Sequence, residues 1–503
     1  MIHCPNRKVM KLIQKIAYVA TLLTLACVVN SQAKANIKQQ KPNFLFILTD
    51  DQAVDTIHAL GNERIATPNI DKLVESGTTF THVFNQGSWS GAVCAPSRQM
   101  INTGRNLFRT GFSPKKTKTD YPLWGETFRK SGYETFITGK WHVGNDALKR
   151  SFDIGRNVFP GGMSHLKNGG QWKPKLLDFG NGVKWKSKTK QQHTSEAFTD
   201  AAVAYLDEKS SRNSEPFLMY VAFTAPHDPR QSPQSYVDKY PGDTIDLPES
   251  YQPLYPFDTG DYNIRDEALM DFPRTQNQTR EFIGEYYAMI EHMDAQIGRI
   301  LDKLKDTKYA NNTYIIFTSD HGLAVGKHGL AGKQSSYDHS IRAPFVIVGN
   351  GINKSIKLPG MFYLNSVFPT TAELAGIEIP NSVDAPSIVP LINGEKIAMF
   401  DTIYGAYRHY QRMVRNNRYK LIYFPMLKKT MLFDLQADPE ETIDIAKEPG
   451  SAAIIKELSK MLKTLKQEVG DPLINNAPIE SYKSFMTPFR PEHQYDSIKF
   501  KEN

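Results

Sequence analysis

Cysteine is almost absent from this chain. Among 503 residues there are three, Cys4, Cys27 and Cys94, and two of them fall in an N-terminal segment that reads separately from the rest. A disulfide framework and a zinc-thiolate cluster are both excluded, since each needs several cysteines in the folded part. No apolar run is long enough to cross a bilayer comfortably, which excludes a multi-span membrane protein. There is no internal repeat and no long low-complexity stretch, so a solenoid or a disordered chain is excluded as well. What is present is the composition of an ordinary globular protein, 40% hydrophobic and 23% charged, long enough for one large domain and a smaller one.

The first 33 residues stand apart. Arg7, Lys8, Lys11 and Lys15 form a basic start, residues 16–29 are apolar, and Ser31 and Ala33 stand at the −3 and −1 positions of a cleavage site. This is the form of a secretory signal peptide, cut after Ala33 or Ala35, and it predicts a periplasmic or secreted protein from a bacterium. A membrane anchor or a lipoprotein signal at Cys27 are the weaker alternatives. With the segment removed, the net charge falls from +8 to +4 and Cys94 becomes the single thiol. So mild an excess gives no reason to expect nucleic-acid binding, which wants a concentrated basic face. A lone cysteine is ordinarily a small buried hydrophobe; the residues around this one argue for more.

Further along, apolar stretches alternate with helical patterns. Strands are expected at 43–48, 133–138, 217–223 and 314–318, and helices at about 67–75, 126–130, 195–206 and 281–304. The alternation predicts an α/β fold with a large, mostly parallel sheet sandwiched by helices. Four of the strands run into polar residues: Asp50-Asp51, Lys140-Trp141-His142, Pro226-His227 and Ser319-Asp320-His321. Ligands of open α/β sheets bind beyond the carboxyl ends of the strands, so four such ends point to one assembled site. From residue 385 short β-like runs (402–407, 419–424, 431–435) and a helix (452–469) suggest a smaller α/β subdomain. The expected division is a signal peptide (1–33), a catalytic domain (41–384), a C-terminal subdomain (385–470) and a polar tail (471–503).

The strongest local signal is Cys94-Ala95-Pro96-Ser97-Arg98, followed after four residues by Thr103-Gly104. Cys-x-Pro-Ser-Arg-x₄-Thr-Gly resembles the signature of the type I sulfatases of the alkaline-phosphatase superfamily, and the resemblance extends from about residue 41 to 470. It implies an alkaline-phosphatase-like fold and hydrolysis of a sulfuric ester. In that family the cysteine is oxidised to formylglycine (3-oxoalanine), so the resemblance implies a maturation enzyme as partner. The hydrated aldehyde then supplies a nucleophilic hydroxyl, and its second hydroxyl can expel sulfate by re-forming the aldehyde. The chemistry suits the substrate, because a sulfate monoester is an anion and needs charge neutralisation and in-line positioning.

By the same resemblance, Asp50, Asp51, Asp320, His321 and the modified Cys94 hold one Ca²⁺. Carboxylates are hard ligands suited to that ion, and His in place of the more usual Asn after Asp320 is similar to the iduronate-2-sulfatase-like branch. Arg98, Lys140, His142, His227 and Lys333 match the residues around formylglycine and sulfate. Arg98 is expected to hold the modified residue and the two lysines to contact sulfate oxygens. His142 is expected to orient or deprotonate the hydroxyl, and His227 to protonate the departing sugar oxygen. Taken singly, each lysine reads as a surface residue and each histidine as a structural one; the joint match carries the assignment.

His328 reads equally as a residue behind Lys333 or as unrelated to it, and Asp228 and Arg230 are candidates for substrate contact. Tyr407, Arg408 and His409 read as an exposed turn, with a substrate rim as the alternative. The run 431–435 with Asp438-Pro439-Glu440 matches the family's C-terminal signature and reads as structural. The expected substrate is a sulfated oligo- or polysaccharide such as ulvan in a marine setting. The alternatives are a glycosaminoglycan, carrageenan or fucoidan, a phosphate or phosphonate ester, or a silent protein that binds sulfated glycan without turnover.

Overall fold

The apolar run after residue 42 forms β1 (Asn43–Asp50), all eight residues of which are buried. Phe44, Phe46 and Leu48 enter one apolar cluster, and Leu45 and Ile47 enter another on the opposite face. A strand covered on both faces has no polar side to display, which is why this run shows no alternation in sequence. The computed structural model describes residues 40–110, 120–180, 182–212, 215–259 and 264–473. The expected signal peptide lies outside the described residues, as does the expected tail beyond residue 473.

The other strands are β2 (Thr78–Phe84), β3 (Gly87–Ser88), β4 (Glu134–Lys140), β5 (Ile154–Phe159), β6 (Lys175–Gly180), β7 (Val183–Thr189), β8 (Phe217–Pro226), β9 (Thr313–Ser319), β10 (Arg342–Val348), β11 (Ile356–Leu358), β12 (Phe362–Tyr363), β13 (Ile403–Tyr407), β14 (Gln411–Arg415), β15 (Tyr419–Phe424) and β16 (Lys429–Asp434). The principal helices are α1 (Pro68–Ser76), α2 (Cys94–Thr103), α3 (Trp124–Lys130), α4 (Asn145–Ser151), α5 (Thr194–Ser210), α6 (Gln276–Lys305), α7 (Val367–Leu374) and α8 (Ser451–Glu468).

Among the described residues the large sheet has eleven strands in the order β11-β2-β10-β9-β1-β8-β4-β5-β6-β7, with β12 paired beside β2. Its centre, β9-β1-β8-β4-β5, is parallel throughout. The four strands with polar ends, β9, β1, β8 and β4, are therefore immediate neighbours that point the same way. Helices α5 and α6 cover one face of the sheet through residues such as Phe198, Leu206, Met293 and Ile297. On the other face lie Trp124 and Phe128 of α3, Leu148 of α4 and Phe368 of α7.

Two parts of this sheet were not expected. Strand β10 runs antiparallel between β9 and β2, with a register irregularity between Ala343 and Phe345. Pro344 sits at that irregularity, where its missing N–H costs the ladder least. The other is the antiparallel extension β5-β6-β7, which makes one edge of the sheet.

A second sheet has the order β16-β15-β14-β13-β3, with α8 packed on it through Leu458 and Leu462. Four of its strands come from the last fifth of the chain, but β3 comes from just before Cys94 and pairs parallel with β13. Gly87 in β3 has φ 87°, and a Cβ there would meet the Ala406 carbonyl oxygen at 1.9 Å, so only glycine permits this approach. Among the described residues no helix is long and apolar enough to cross a membrane.

The core around β1 yields a stability prediction. The Phe46 ring lies 5.1 Å from both Trp124 and Tyr220, centroid to centroid. Phe46→Ala should cost about 3–5 kcal/mol, read as a lower denaturant midpoint with the slope unchanged; an unshifted midpoint would show that the site collapses around the cavity.

Candidate active site

Each strand end delivers one or two side chains to a common point. Strand β1 stops at Asp50, and Asp51 follows with φ 71°, a left-handed conformation that aspartate tolerates better than most residues. Both carboxylates are buried. Strand β4 ends at Lys140, with His142 (φ 57°) two residues on. His227 follows β8 directly, and Asp320-His321 follow β9. Across from them Cys94 is the first residue of α2 and is buried with the rest of that helix. It is thus no loop residue: it sits at the positive end of a helix dipole, where a negative charge is favoured.

The distances join these groups into one network. Cys94 Sγ lies 3.3 Å from Lys333 Nζ, 3.3 Å from His321 Nε2 and 3.8 Å from Asp51 Oδ1. Lys333 Nζ donates to both oxygens of Asp51 at 2.7 Å. His321 Nε2 is also 3.4 Å from Asp51 Oδ1 and 3.5 Å from Asp320 Oδ1. Arg98 donates through Nε to Asp320 Oδ2 at 2.9 Å and through Nη1 to the Lys140 carbonyl at 2.7 Å, while Lys140 Nζ is paired with Asp50. His227 Nε2 is 3.9 Å from Asp51 Oδ2, and its Nδ1 is 3.1 Å from Asp228 Oδ1. Asp228 in turn accepts from Arg265 at 2.6 Å.

Burial is the largest influence on Asp51, Cys94, His142, His227 and His321, and it opposes their charged forms. For Asp51 the cations His227, Lys333 and His321 overcome it, and the carboxyl falls below its ordinary range. For Cys94 burial and Asp50 work against the thiolate, but Lys140 and Lys333 prevail and bring the thiol down to about 7. His321 is raised to about 9, where Asp320, Cys94 and Asp51 outweigh its burial. The two histidines facing the cavity move in opposite directions. His142 falls well below its ordinary value through burial and the charges of Lys140 and Arg98. Asp51 carries His227 well above its own against the same burial.

A cavity of about 300 Å³ opens over this network, lined by Cys94, His142, His227 and Lys333 and walled by Gly162, Met163, Arg265, Asp266 and Gln334. The site also fits a cation. Asp50, Asp51, Cys94 and His321 offer ligand atoms within 4.8 Å of one another, and Asp50 Oδ1 is buried without a hydrogen-bond donor. Two of the four, Asp50 and Asp51, offer hard carboxylate oxygens.

All ten residues expected at the site are brought together: Asp50, Asp51, Cys94, Arg98, Lys140, His142, His227, Asp320, His321 and Lys333. Others fall elsewhere. His328 stacks on Tyr337 at 4.0 Å and bonds the Glu441 carbonyl at 3.0 Å, away from the cavity lining. Arg230 is turned to Glu285 and lies over Phe282. The exposed turn expected at 407–409 is instead the buried end of β13 and the turn that follows it; Tyr407 packs with Val93 and Tyr410, under the residue before Cys94. Two buried groups that bind the site's backbone were missed. The Tyr286 hydroxyl donates to the Asp51 carbonyl at 2.5 Å, and the Asn85 amide donates to the Asp320 carbonyl at 3.0 Å. Neither lies in a motif, and Tyr286 is one apolar-face position of α6 among many.

Comparison with known proteins follows the same lines. The family model "Sulfatase" matches residues 42–377, and the model "N-sulphoglucosamine sulphohydrolase, C-terminal" matches residues 326–468. A choline-sulfatase of Rhizobium meliloti is 28% identical over 451 residues, covering 81% of this chain and 83% of its own. An ulvan-active sulfatase of Formosa agariphila is 26% identical, covering 88% and 83%. Among solved structures, a protein in complex with its substrate D-glucosamine-2-N,6-O-disulfate superposes with a TM-score of 0.72 at 21% identity, covering 86% of this chain and 99% of that one. The phosphonate monoester hydrolase of Agrobacterium radiobacter reaches 0.68 at 21% identity over 85% and 96%, a likeness of fold. With a family model spanning two thirds of its length, the chain belongs to the sulfatase family and is a sulfuric ester hydrolase.

Proposed function

We propose that this sulfatase removes sulfate from a sulfated carbohydrate, with Cys94 converted to formylglycine and one Ca²⁺ held by Asp50, Asp51, Asp320, His321 and residue 94. The observation that carries the reading is the position of Cys94 Sγ, 3.3 Å from both Lys333 Nζ and His321 Nε2 and facing the cavity that His142 and His227 also line. When present, the hydrated aldehyde supplies the attacking hydroxyl and Ca²⁺ neutralises charge on the ester.

The remaining work falls to the chain's own side chains. Lys140 and Lys333 contact sulfate oxygens as point charges, drawn from the carboxylates they now neutralise. Arg98 is held at Nε and Nη1 and keeps α2, and with it residue 94, in register with the strand ends. His142, neutral near neutral pH, accepts the proton of the attacking hydroxyl, and protonated His227 donates to the departing oxygen. Opposed shifts on two histidines of one cavity suit a base and an acid. Asp228, bonded to His227 Nδ1, fixes which nitrogen faces the substrate.

Relatives named for activity on ulvan and on N-acetylglucosamine-6-sulfate support a carbohydrate substrate. Ulvan or its oligosaccharides is the preferred choice, and the periplasm or the medium the preferred location. The division at residue 384 between a catalytic domain and a smaller C-terminal unit is part of the same proposal.

Cys94→Ala should abolish turnover with the fold unchanged by circular dichroism. In active preparations, mass spectrometry of the peptide containing residue 94 should show aldehyde in place of thiol, and full activity from unmodified cysteine would sink the mechanism. His227→Ala should slow hydrolysis of sugar sulfates about 10²–10⁴-fold yet affect an aryl sulfate with a good leaving group far less. Equal losses on both would argue against a proton donor. Stripping divalent metal should remove activity and Ca²⁺ restore it; metal-free enzyme at full rate would contradict the carboxylate site.

A further inference from the structure

Six lysines stand within eighteen residues: Lys173, Lys175, Lys184, Lys186, Lys188 and Lys190, against the single carboxylate of Asp178. The chain beyond residue 33 carries +4 in all, so this one stretch holds more positive charge than that whole span and leaves the rest near neutral. The stretch is the hairpin β6-β7, and among the described residues β7 is an edge strand of the large sheet. Lys173, Lys175, Lys184 and Lys186 are exposed, and none of the four has an ion-pair partner among the described residues. Lys188 is held by Asp178.

Lysines on an edge strand discourage pairing with another chain. That purpose accounts neither for the aromatic residues beside them nor for where the hairpin is rooted. Trp172 and Trp185 are 37% and 41% exposed. Trp185 stacks on Phe179 at 4.8 Å with the Lys149 ammonium 5.0 Å from its ring centre. Trp172 meets His193 edge-on at 4.9 Å. Its neighbour Gln171 donates from its side-chain amide to the His227 carbonyl at 3.1 Å and from its backbone N–H to Gln231 Oε1 at 2.8 Å. The base of the hairpin is closed by Lys190 N–H to the Pro174 carbonyl at 3.0 Å. Thus Trp172 stands one residue from a group bonded to His227 of the cavity, and the lysines continue outward along strands about 20 Å long.

We infer that Trp172 and the β6-β7 hairpin form an extended subsite for the non-reacting part of a multiply sulfated glycan chain, leading away from the cavity of Cys94; this rests on the sulfatase reading above. Indole faces match the apolar faces of pyranose rings. Ammonium groups on flexible stems pair with sulfates as point charges, so the track tolerates variation in sulfate spacing. Contacts of this kind act on bound substrate and transition state alike, and they lower KM without raising kcat.

The test compares wild type, Lys184→Glu/Lys186→Glu and Trp172→Ala on ulvan oligosaccharides and on 4-nitrophenyl sulfate. For the charge-reversed protein, KM on the oligosaccharides should rise about tenfold with kcat nearly unchanged and a weaker dependence on salt, while the small ester is turned over as before. Trp172→Ala should also raise KM on the oligosaccharides alone. Unaltered KM for the oligosaccharides in both variants would overturn the subsite and leave the sulfatase reading intact. Binding to dextran sulfate and to duplex DNA is measured in parallel on Cys94→Ala protein. DNA bound as tightly as the glycan, with Trp172→Ala indifferent to both, would overturn the subsite in favour of a general polyanion patch. If wild type turns over no sulfate ester yet the hairpin variants lose dextran sulfate, the subsite stands and the reading it rests on fails.

Discussion

Three carboxylates and three permanent cations share one buried volume at the end of the central strands, and neither set is tolerable without the other. Asp50, Asp51 and Asp320 are desolvated, as are Arg98, Lys140 and Lys333. Removing a single partner from such a set leaves an uncompensated charge in a poorly solvated place. The arrangement therefore holds β1, β4, β9 and α2 in mutual register. It also pairs each of the two ammonium groups with a carboxylate, Lys140 with Asp50 and Lys333 with Asp51.

The scaffold makes that set possible by geometry. Four parallel neighbours end together, so four short polar segments meet without any long loop to position them. Opposite them, α2 places Cys94 at its N-terminus. The loop before it is anchored through β3 to the second sheet, with Tyr407 and Tyr410 packed beneath Val93. The C-terminal sheet thus bears on residue 94 from below. That explains why residues 407–409 are buried although their sequence, Tyr-Arg-His, reads as exposed.

A related asymmetry appears in the charge distribution. The modest total charge conceals a basic hairpin on an otherwise near-neutral surface, since a net value sums over positions that folding separates. The lysines at 184, 186, 188 and 190 alternate in the sequence, but only the folded chain leaves Lys184 and Lys186 exposed while Lys188 and Lys190 are half-buried.

The four central strands, their polar ends and the ten residues brought together there were legible in the sequence, because each depends on local chemistry. Continuous apolar runs specify strands buried on both faces, and Cys-Ala-Pro-Ser-Arg is recognisable without any partner. Strand β10, interrupted by Pro344, and the extension β5-β7 were not legible, since their pairing is decided by the neighbours they find rather than by their own pattern. The same holds for Tyr286, Asn85 and Gln171, each hydrogen-bonded to backbone far away in the chain. The sequence by itself determined which polar groups end the central strands. Only the tertiary structure decided that Cys94 opens a helix, that His142 and His227 are driven apart in pKa by the same cluster, and that His328 and Arg230 turn elsewhere. Those outcomes depend on burial and on distances between charges, and both exist only once the chain has closed on itself.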